Sequence, residues 1–213
     1  MDFQYRPPTD PWLTIVHRDR DLLVVDKPSG LLSVPGRVHR DSALSRVLEE
    51  VPHAYDVHRL DMDTSGLLMF ALRRSAEREL KRQFRERLIH KTYKAVVWGH
   101  VEQLRGEIDL PLSRVDGPLP RSVVDAHSGR SALTMFEVVA HKSDRTVLTL
   151  HPKTGRSHQL RVHLSAIGHP IIGDRFYGTD DRQDCRLQLH AEQLECRHPY
   201  SGEALVLRAQ APF

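Results

Sequence analysis

The run Gly66-Leu67-Leu68-Met69-Phe70-Ala71-Leu72 constrains this chain more than any other stretch. It carries no charge and no polar alternation, so it fits a strand buried on both faces, and the fold must supply a sheet and a cover for each side of it. Leu13–Val16 and Leu22–Val25 are short apolar runs separated by charged turn residues, which reads as a hairpin ending in the turn Lys27-Pro28-Ser29-Gly30. Further strands are expected at 92–98, 106–110, 133–140, 146–150, 187–196 and 204–209, the last two joined by a turn around Pro199 and Gly202. Two or three helices interrupt them. Ser42 can cap one that runs through Glu50, and Ser75–Leu88 places Ala76, Leu80 and Phe84 along one face. Ser157–Ile167 puts Leu160, Leu164 and Ile167 on one side, with Gly168 as a left-handed end and Pro170 behind it. Strands that mostly follow each other directly predict an α+β fold, with a mixed, mostly antiparallel central sheet flanked by a few helices and long loops.

The long loops are expected at 111–131 and 169–186, and residues 1–11, with three prolines, read as an extended arm. No composition break marks a boundary within 12–213, which reads as one domain. A chain of 213 residues can bury a core without disulfide or metal staples. Cys185 and Cys196 show no paired spacing, so a reducing cytoplasm is the expected setting. The start MDFQYRPPTDPW lacks the apolar core of a signal peptide, and no apolar run reaches membrane-spanning length. The net charge is only +3 although the pI is about 9.0, so a polyanionic partner must be argued from local clusters.

Polar residues crowd against the buried strand. His58-Arg59-Leu60-Asp61-Met62-Asp63-Thr64-Ser65-Gly66 leads straight into it. A carboxylate partly stripped of water there needs a counter-charge, or its pKa climbs. Asp61 is expected to find its partner elsewhere in the chain than at Arg59. For any single Asp in such a run, capping a turn is the commoner role. A second cluster shifts the balance: Lys153-Thr154-Gly155-Arg156-Ser157-His158-Gln159-Leu160-Arg161-Val162-His163. Its glycine turn leads into a helix start whose exposed N–H groups suit a phosphate or carboxylate, and Arg156, His158 and Arg161 add cationic donors. An Arg on a helix beside a buried Asp would hold that Asp ionised. An Arg-rich solvated face is the alternative, although Arg161 adjoins the apolar stripe. In Lys91-Thr92-Tyr93-Lys94-Ala95-Val96-Val97-Trp98-Gly99, strand alternation sets Tyr93 with Ala95 and Val97. That is usually a core tyrosine; in a pocket it could stack on a base and move a proton.

HRLDMDTSGLL resembles the HRLDxxTSG motif of the RluA family of pseudouridine synthases, and GRSHQLRVH resembles its GRxHQxR motif. KTYKAVVWG is similar to the family's lysine–x–tyrosine–x–alanine segment, LVVDKPSGLLSVPG to its opening strand and loop, and GHPIIGDRFYG and LQLHAEQLECRHP to its C-terminal blocks. The likeness runs in order from about Trp12 to the end of the chain, and the first two motifs together are specific where neither alone would be. The resemblance implies the pseudouridine synthase catalytic fold and isomerisation of uridine in RNA loops, with no cofactor, metal or energy source. It implies Asp61 as the catalytic nucleophile, Arg161 as the arginine paired with it, and Tyr93 as the ring that stacks on uracil and assists loss of the C5 proton. Arg59 would fill the gap left by a flipped base. His58, Thr64, Arg156, His158 and Gln159, from the same motifs, are candidate RNA-binding residues. Only a short arm precedes the opening block, with no room for an S4-type RNA-binding module. In this the chain resembles the family's small dual-specificity member, whose substrates are a tRNA anticodon stem-loop and a hairpin of 23S rRNA. PPTDPWL, VPGR and AERELKRQFRER strengthen that likeness. The expected partner is therefore RNA, with no membrane and no metal, for a monomer. A tRNA-only or rRNA-only enzyme is the alternative within the family.

Other assignments stay open. The stretch 73–87 is basic but diluted by Glu77, Glu79 and Glu86, so a solvated ladder of ion pairs and an RNA-contacting face are equally good readings. Arg114, Arg121 and Arg130 in the first long loop stand likewise. Cys185, His190, Cys196 and His198 are too irregularly spaced for a zinc site and fall in a strand pattern. A non-catalytic RNA-binding protein of the same fold is disfavoured because Asp61, Tyr93 and Arg161 are all present. A glycosidase using Asp61 and Asp63 would need its carboxylates on opposite sides of a sugar.

Overall fold

The computed structural model describes residues 4–115, 117, 121–178 and 185–213; the first three residues of the expected arm and parts of both expected long loops lie outside these. The chain divides into two compact units. One takes the residues up to His90 together with Ala191–Pro212, the other Lys91–His190 with Phe213.

In the first unit, β1 (Thr14–Arg18) and β2 (Leu22–Lys27) form the expected antiparallel hairpin. Its turn is closed by Asp19, whose Oδ1 accepts the N–H groups of Asp21 and Leu22 at 2.7 and 2.8 Å. β2 pairs with β4 (Ser65–Ala71), and β11 (Leu189–Arg197), which belongs to this unit from Ala191 onward, follows β4 in the strand order. β12 (Ala204–Arg208) pairs with β11, and β3 (Tyr55–Asp56) with β4. Two residues are too few to show a period, which is why β3 is absent from the sequence pattern.

All seven residues of β4 are buried, as their composition requires. Leu67, Met69 and Ala71 pack with Leu22 and Val24 and with Ala76 and Leu80 of α2 (Arg74–Arg85); Phe84 is partly buried against them. The helix thus buries the face its spacing predicts. α1 (Ala43–Glu50) starts at Ser42, whose hydroxyl accepts the Ser45 N–H while Ser45 Oγ accepts the Ser42 N–H, a reciprocal cap.

Gly66, the second residue of β4, has φ +111°, and a Cβ there would stand 2.4 Å from the Ala191 carbonyl oxygen. Neither backbone can yield. Gly66→Ala is expected to destabilise the protein by on the order of 3 kcal/mol, from strain and overpacking together. A urea unfolding midpoint within error of the parent would show that the two strands can part without cost.

In the second unit the strand order is β5 (His90–Trp98, belonging here from Lys91), β10 (Arg145–Pro152), β9 (Leu133–Lys142) and β6 (Arg105–Asp109), with antiparallel ladders throughout. Ala95, Val97, Leu148 and Leu150 pack with Leu160 and Leu164 of α3 (Gln159–Ala166). α3 is shorter than the pattern suggests. His158 sits before it in the left-handed region at φ +54°, and Ile167 is exposed beyond its end rather than on the apolar stripe. Gly168, at φ +84°, ends the helix as expected.

The first long loop departs from expectation. It contains β7 (Leu112–Val115) and β8 (Arg121–Val124), paired as a separate antiparallel ribbon. Leu112 and Ser122 are buried in it, while Val115, Val123 and Val124 are exposed, so no apolar alternation betrays it. Polar chemistry closes it instead: the Asp125 carboxylate accepts the hydroxyls of Ser113 and Ser128 and the N–H groups of His127 and Ser128. The fold is of the α+β class with mostly antiparallel pairing, as the strand pattern predicts. Among the described residues no helix is long and apolar enough to cross a membrane.

Candidate active-site and RNA-binding residues

His58, Arg59, Asp61 and Thr64 share the loop that joins β3 to β4. Arg59 is exposed, Asp61 half-buried and Thr64 buried. The Thr64 N–H donates to the Asp61 carbonyl at 3.2 Å, turning the chain into the strand. This loop is stitched to the segment 27–33 along its length. The Lys27 ammonium is fully buried and donates to the carbonyls of Pro28, Leu31 and Met62 at 2.7–2.9 Å. A buried charge is tolerable when strong hydrogen bonds replace its water, and these three carbonyls do that. Ser29 Oγ donates to the Asp63 carbonyl at 2.6 Å, and the Gly30 N–H to the Met62 carbonyl at 2.9 Å. Ser33 Oγ donates to the Leu60 carbonyl at 2.7 Å and accepts the Leu60 N–H at 3.0 Å. The backbone on each side of Asp61 is therefore fixed by its neighbours.

Lys27 is not among the candidate site residues that the motifs mark. The available signal was a lysine closing a wholly apolar run, where the strand must desolvate it. His58 is bound inward: its Nε2 accepts the Met69 N–H at 3.0 Å and its ring stacks on Phe84 at 4.8 Å.

In the second unit, Arg156, His158, Gln159 and Arg161 surround the start of α3, and Tyr93 lies on β5. Tyr93 is half-buried against the cluster containing Ala95 and Val97, on the face that strand alternation assigns it. Arg161 and Asp174 are both buried. Nε and Nη2 of the guanidinium meet the two carboxylate oxygens at 2.8 Å each. The rings of Phe176 and Tyr177 lie 5.2 and 5.3 Å from the same guanidinium carbon. Asp174 is a partner of Arg161 that the sequence pattern does not mark. It lies in the quoted block GHPIIGDRFYG, where the signal was an acid amid glycines and aromatics close behind the helix.

Gln159 is a buried bracket. Its carbonyl accepts the Thr154 hydroxyl at 2.7 Å and the Arg156 N–H at 3.0 Å, and its amide donates to the Leu133 carbonyl and Thr134 Oγ1. The Gln159 N–H in turn donates to the Arg156 carbonyl. The N–H groups of Arg156 and Gln159 are thus occupied, and the open anion cradle expected at this helix start is partly filled by the chain itself. Arg156 Nε donates to the Ser131 carbonyl. His158 Nδ1 lies 2.8 Å from the Tyr177 hydroxyl, which accepts the Ser122 N–H at 2.9 Å and so ties β8 to the turn before α3.

Burial works against the Asp174 carboxylate. The Arg161 hydrogen bonds and charge, with the N–H groups of Phe176 and Tyr177, outweigh it and hold the pKa below the ordinary carboxylate value. A folded-state pKa lowered in this way adds stability that is present above the unfolded value, near pH 4, and lost as pH falls through the folded value. Replacing Asp174 with Asn is expected to flatten that acid limb. Urea midpoints measured from pH 7 down to pH 3 would show it, and an equally steep fall in both proteins would assign the limb to other carboxylates.

Among the described residues Asp19, Asp21 and His198 bring their donor atoms together. Burial pushes the Cys196 thiol up to about 11, as befits a core residue. His198 Nδ1 accepts the Ser201 N–H at 3.1 Å, which leaves the ring proton on Nε2, facing Asp19.

The family model for RNA pseudouridylate synthases matches residues 21–166, a stretch that contains Asp61, Tyr93 and Arg161. The chain belongs to this family. The synthase is 51% identical to the dual-specificity RNA pseudouridine synthase RluA of Escherichia coli K12, over 98% of each chain. It is also 51% identical to the RluA protein of Pasteurella multocida, again over 98% of each chain. Among solved structures it is similar to human RNA pseudouridylate synthase domain containing 1, with a TM-score of 0.84 and 32% identity over 98% of this chain and 87% of the other. The synthase is thus an RluA-type isomerase that acts on RNA. Asp174 lies beyond the matched stretch.

Proposed function

We propose that the synthase has dual specificity and converts a uridine to pseudouridine both in a tRNA anticodon stem-loop and in a hairpin of 23S rRNA. One observation carries the reading: the likeness to proteins named for dual specificity extends over 98% of each chain at about half identity. Bases in loops are cheap to unstack, which suits an enzyme that must extract its target.

Asp61 is the nucleophile in this reading, acting either at the sugar C1′ or by starting an elimination. The bond from C1′ to N1 breaks, the uracil rotates, and C1′ joins C5. The C5 proton leaves and N1 regains one, so the product is an isomer and no co-reactant is consumed. Tyr93 stacks on the uracil and assists the proton transfer, and Arg161 is the third catalytic residue. His58, Thr64, Arg156, His158 and Gln159 hold RNA or shape the surface that does. Residues 12–213 form the catalytic part and residues 1–11 an arm. The enzyme works as a cytoplasmic monomer without metal or cofactor.

The test is direct. Purified protein is incubated with anticodon stem-loop and 23S hairpin transcripts, and pseudouridine is mapped in each. Product in one RNA alone would reduce the enzyme to single specificity; product in neither would overturn the reading.

Arg59 is exposed beside Asp61 and fits the role of replacing the stacking of the flipped base. Arg59→Ala is expected to lower kcat/KM roughly 30-fold, the equivalent of about 2 kcal/mol of unstacking, with no change in the urea midpoint. A fluorescent base next to the target uridine would report flipping. Normal flipping kinetics in the variant would remove Arg59 from that role.

A further inference from the structure

The N-terminal arm connects to the segment that holds the Asp61 loop. Tyr5 is half-buried, and its hydroxyl donates to the Asp41 carbonyl at 2.8 Å and accepts the Leu32 N–H at 3.0 Å. Farther along, the Trp12 carbonyl accepts from Arg46 Nη1 at 2.6 Å, and the Trp12 ring lies 3.9 Å from the guanidinium carbon. Arg46 is buried on α1 and grips both oxygens of Asp41 through Nε and Nη2 at 2.8 Å each. The arm, the segment around Asp41 and α1 therefore share one anchor.

Residues 31–33 are held from several sides at once. Lys27 takes the Leu31 carbonyl and Tyr5 the Leu32 N–H, while the first N–H groups of α1, from Ala43 and Leu44, take the carbonyls of Leu32 and Ser33 at 2.8 and 3.1 Å. From this fixed point the Ser33 hydroxyl reaches the Leu60 backbone both as donor and as acceptor. Leu60 immediately precedes Asp61.

We propose that Tyr5 and Ser33 are positioning residues: the arm sets the placement of Asp61 through the Tyr5 hydroxyl, the backbone of residues 32–33 and the two-way clamp of Ser33 on Leu60. The proposal rests on Asp61 being the nucleophile. A reacting group displaced by about 1 Å loses on the order of 100-fold in rate, and a loop deprived of its clamp has that freedom. Tyr5 and Ser33 act through hydrogen bonds within the protein, so their loss falls on the chemical step and leaves RNA affinity alone.

The experiment compares full-length Tyr5→Phe, Ser33→Ala and the double variant with the parent and with Asp61→Asn. It measures the single-turnover rate at saturating enzyme, the Kd for the stem-loop and the thermal midpoint. Ser33→Ala should slow turnover about 100-fold and Tyr5→Phe about tenfold, with Kd within about twofold of the parent. The double variant should be no slower than Ser33→Ala alone, because both hydroxyls act along one path. Should Ser33→Ala fail to fold, Tyr5→Phe decides by itself: its single-turnover rate falls with Kd unchanged, or the proposal is wrong. A lowered thermal midpoint with parental rates would mark both residues as merely structural and overturn it. An inactive Asp61→Asn beside fully active Tyr5→Phe and Ser33→Ala would sink the positioning role alone, whereas an active Asp61→Asn would remove the nucleophile on which it depends.

Discussion

Asp61→Asn is expected to reduce pseudouridine formation by at least about four orders of magnitude, roughly 5 kcal/mol of barrier. Asparagine has nearly the same shape and hydrogen-bonding reach but is no nucleophile at the sugar or the base. The loop should survive the change. It is held through the backbone of Leu60, Met62 and Asp63 by Ser33, Lys27, Gly30 and Ser29, and those bonds do not involve the Asp61 side chain. RNA affinity and the urea midpoint should therefore stay near those of the parent. Release of tritium from C5-labelled uridine in a stem-loop transcript, under single-turnover conditions, measures the effect. Turnover within tenfold of the parent would exclude Asp61 as the nucleophile.

The second large effect is on stability. Asp174→Asn removes the carboxylate that meets Arg161 in the interior, and it turns a donor toward one of the guanidinium N–H groups. Breaking a buried pair from one side costs about 3–5 kcal/mol, because the guanidinium loses a carboxylate that meets it through two hydrogen bonds where water cannot replace them. The same reasoning predicts that Arg161→Met with Asp174→Leu recovers part of that loss, since the two charges are removed together, although the N–H groups of Phe176 and Tyr177 lose their acceptor. The double variant should nonetheless be inactive if Arg161 has the catalytic role proposed. Urea denaturation and a turnover assay on the same preparations separate the two contributions. A single variant as stable as the parent would mean that water or another acid reaches Arg161. A double variant that turns over normally would confine the pair to structure.

The regions that were legible in the sequence share a physical reason. β4 is buried on both faces, the environment that seven consecutive apolar residues with no polar alternation suit. α2 buries Ala76 and Leu80 because one helical face has to meet the sheet. Ser42 and Gly168 mark helix ends through bonds and dihedral angles set within a few residues. The ribbon β7–β8 escaped because it buries too little to impose a period and is closed by side-chain hydrogen bonds around Asp125. The early start expected for α3 failed because His158 takes a left-handed backbone conformation, which interrupts a right-handed helix just before Gln159.

Motif order alone was enough to place the chain in its family and to nominate the residues that would bear its chemistry, since a motif is local and its letters survive without coordinates. Which groups serve those residues was decided in three dimensions. Arg161 meets an acid 13 positions along the chain, and the Lys27 ammonium reaches a carbonyl 35 positions away, beside Asp61. Both are buried charges, whose partners are chosen by the need to replace lost water rather than by proximity in sequence, and that need exists only once the backbone has closed around them.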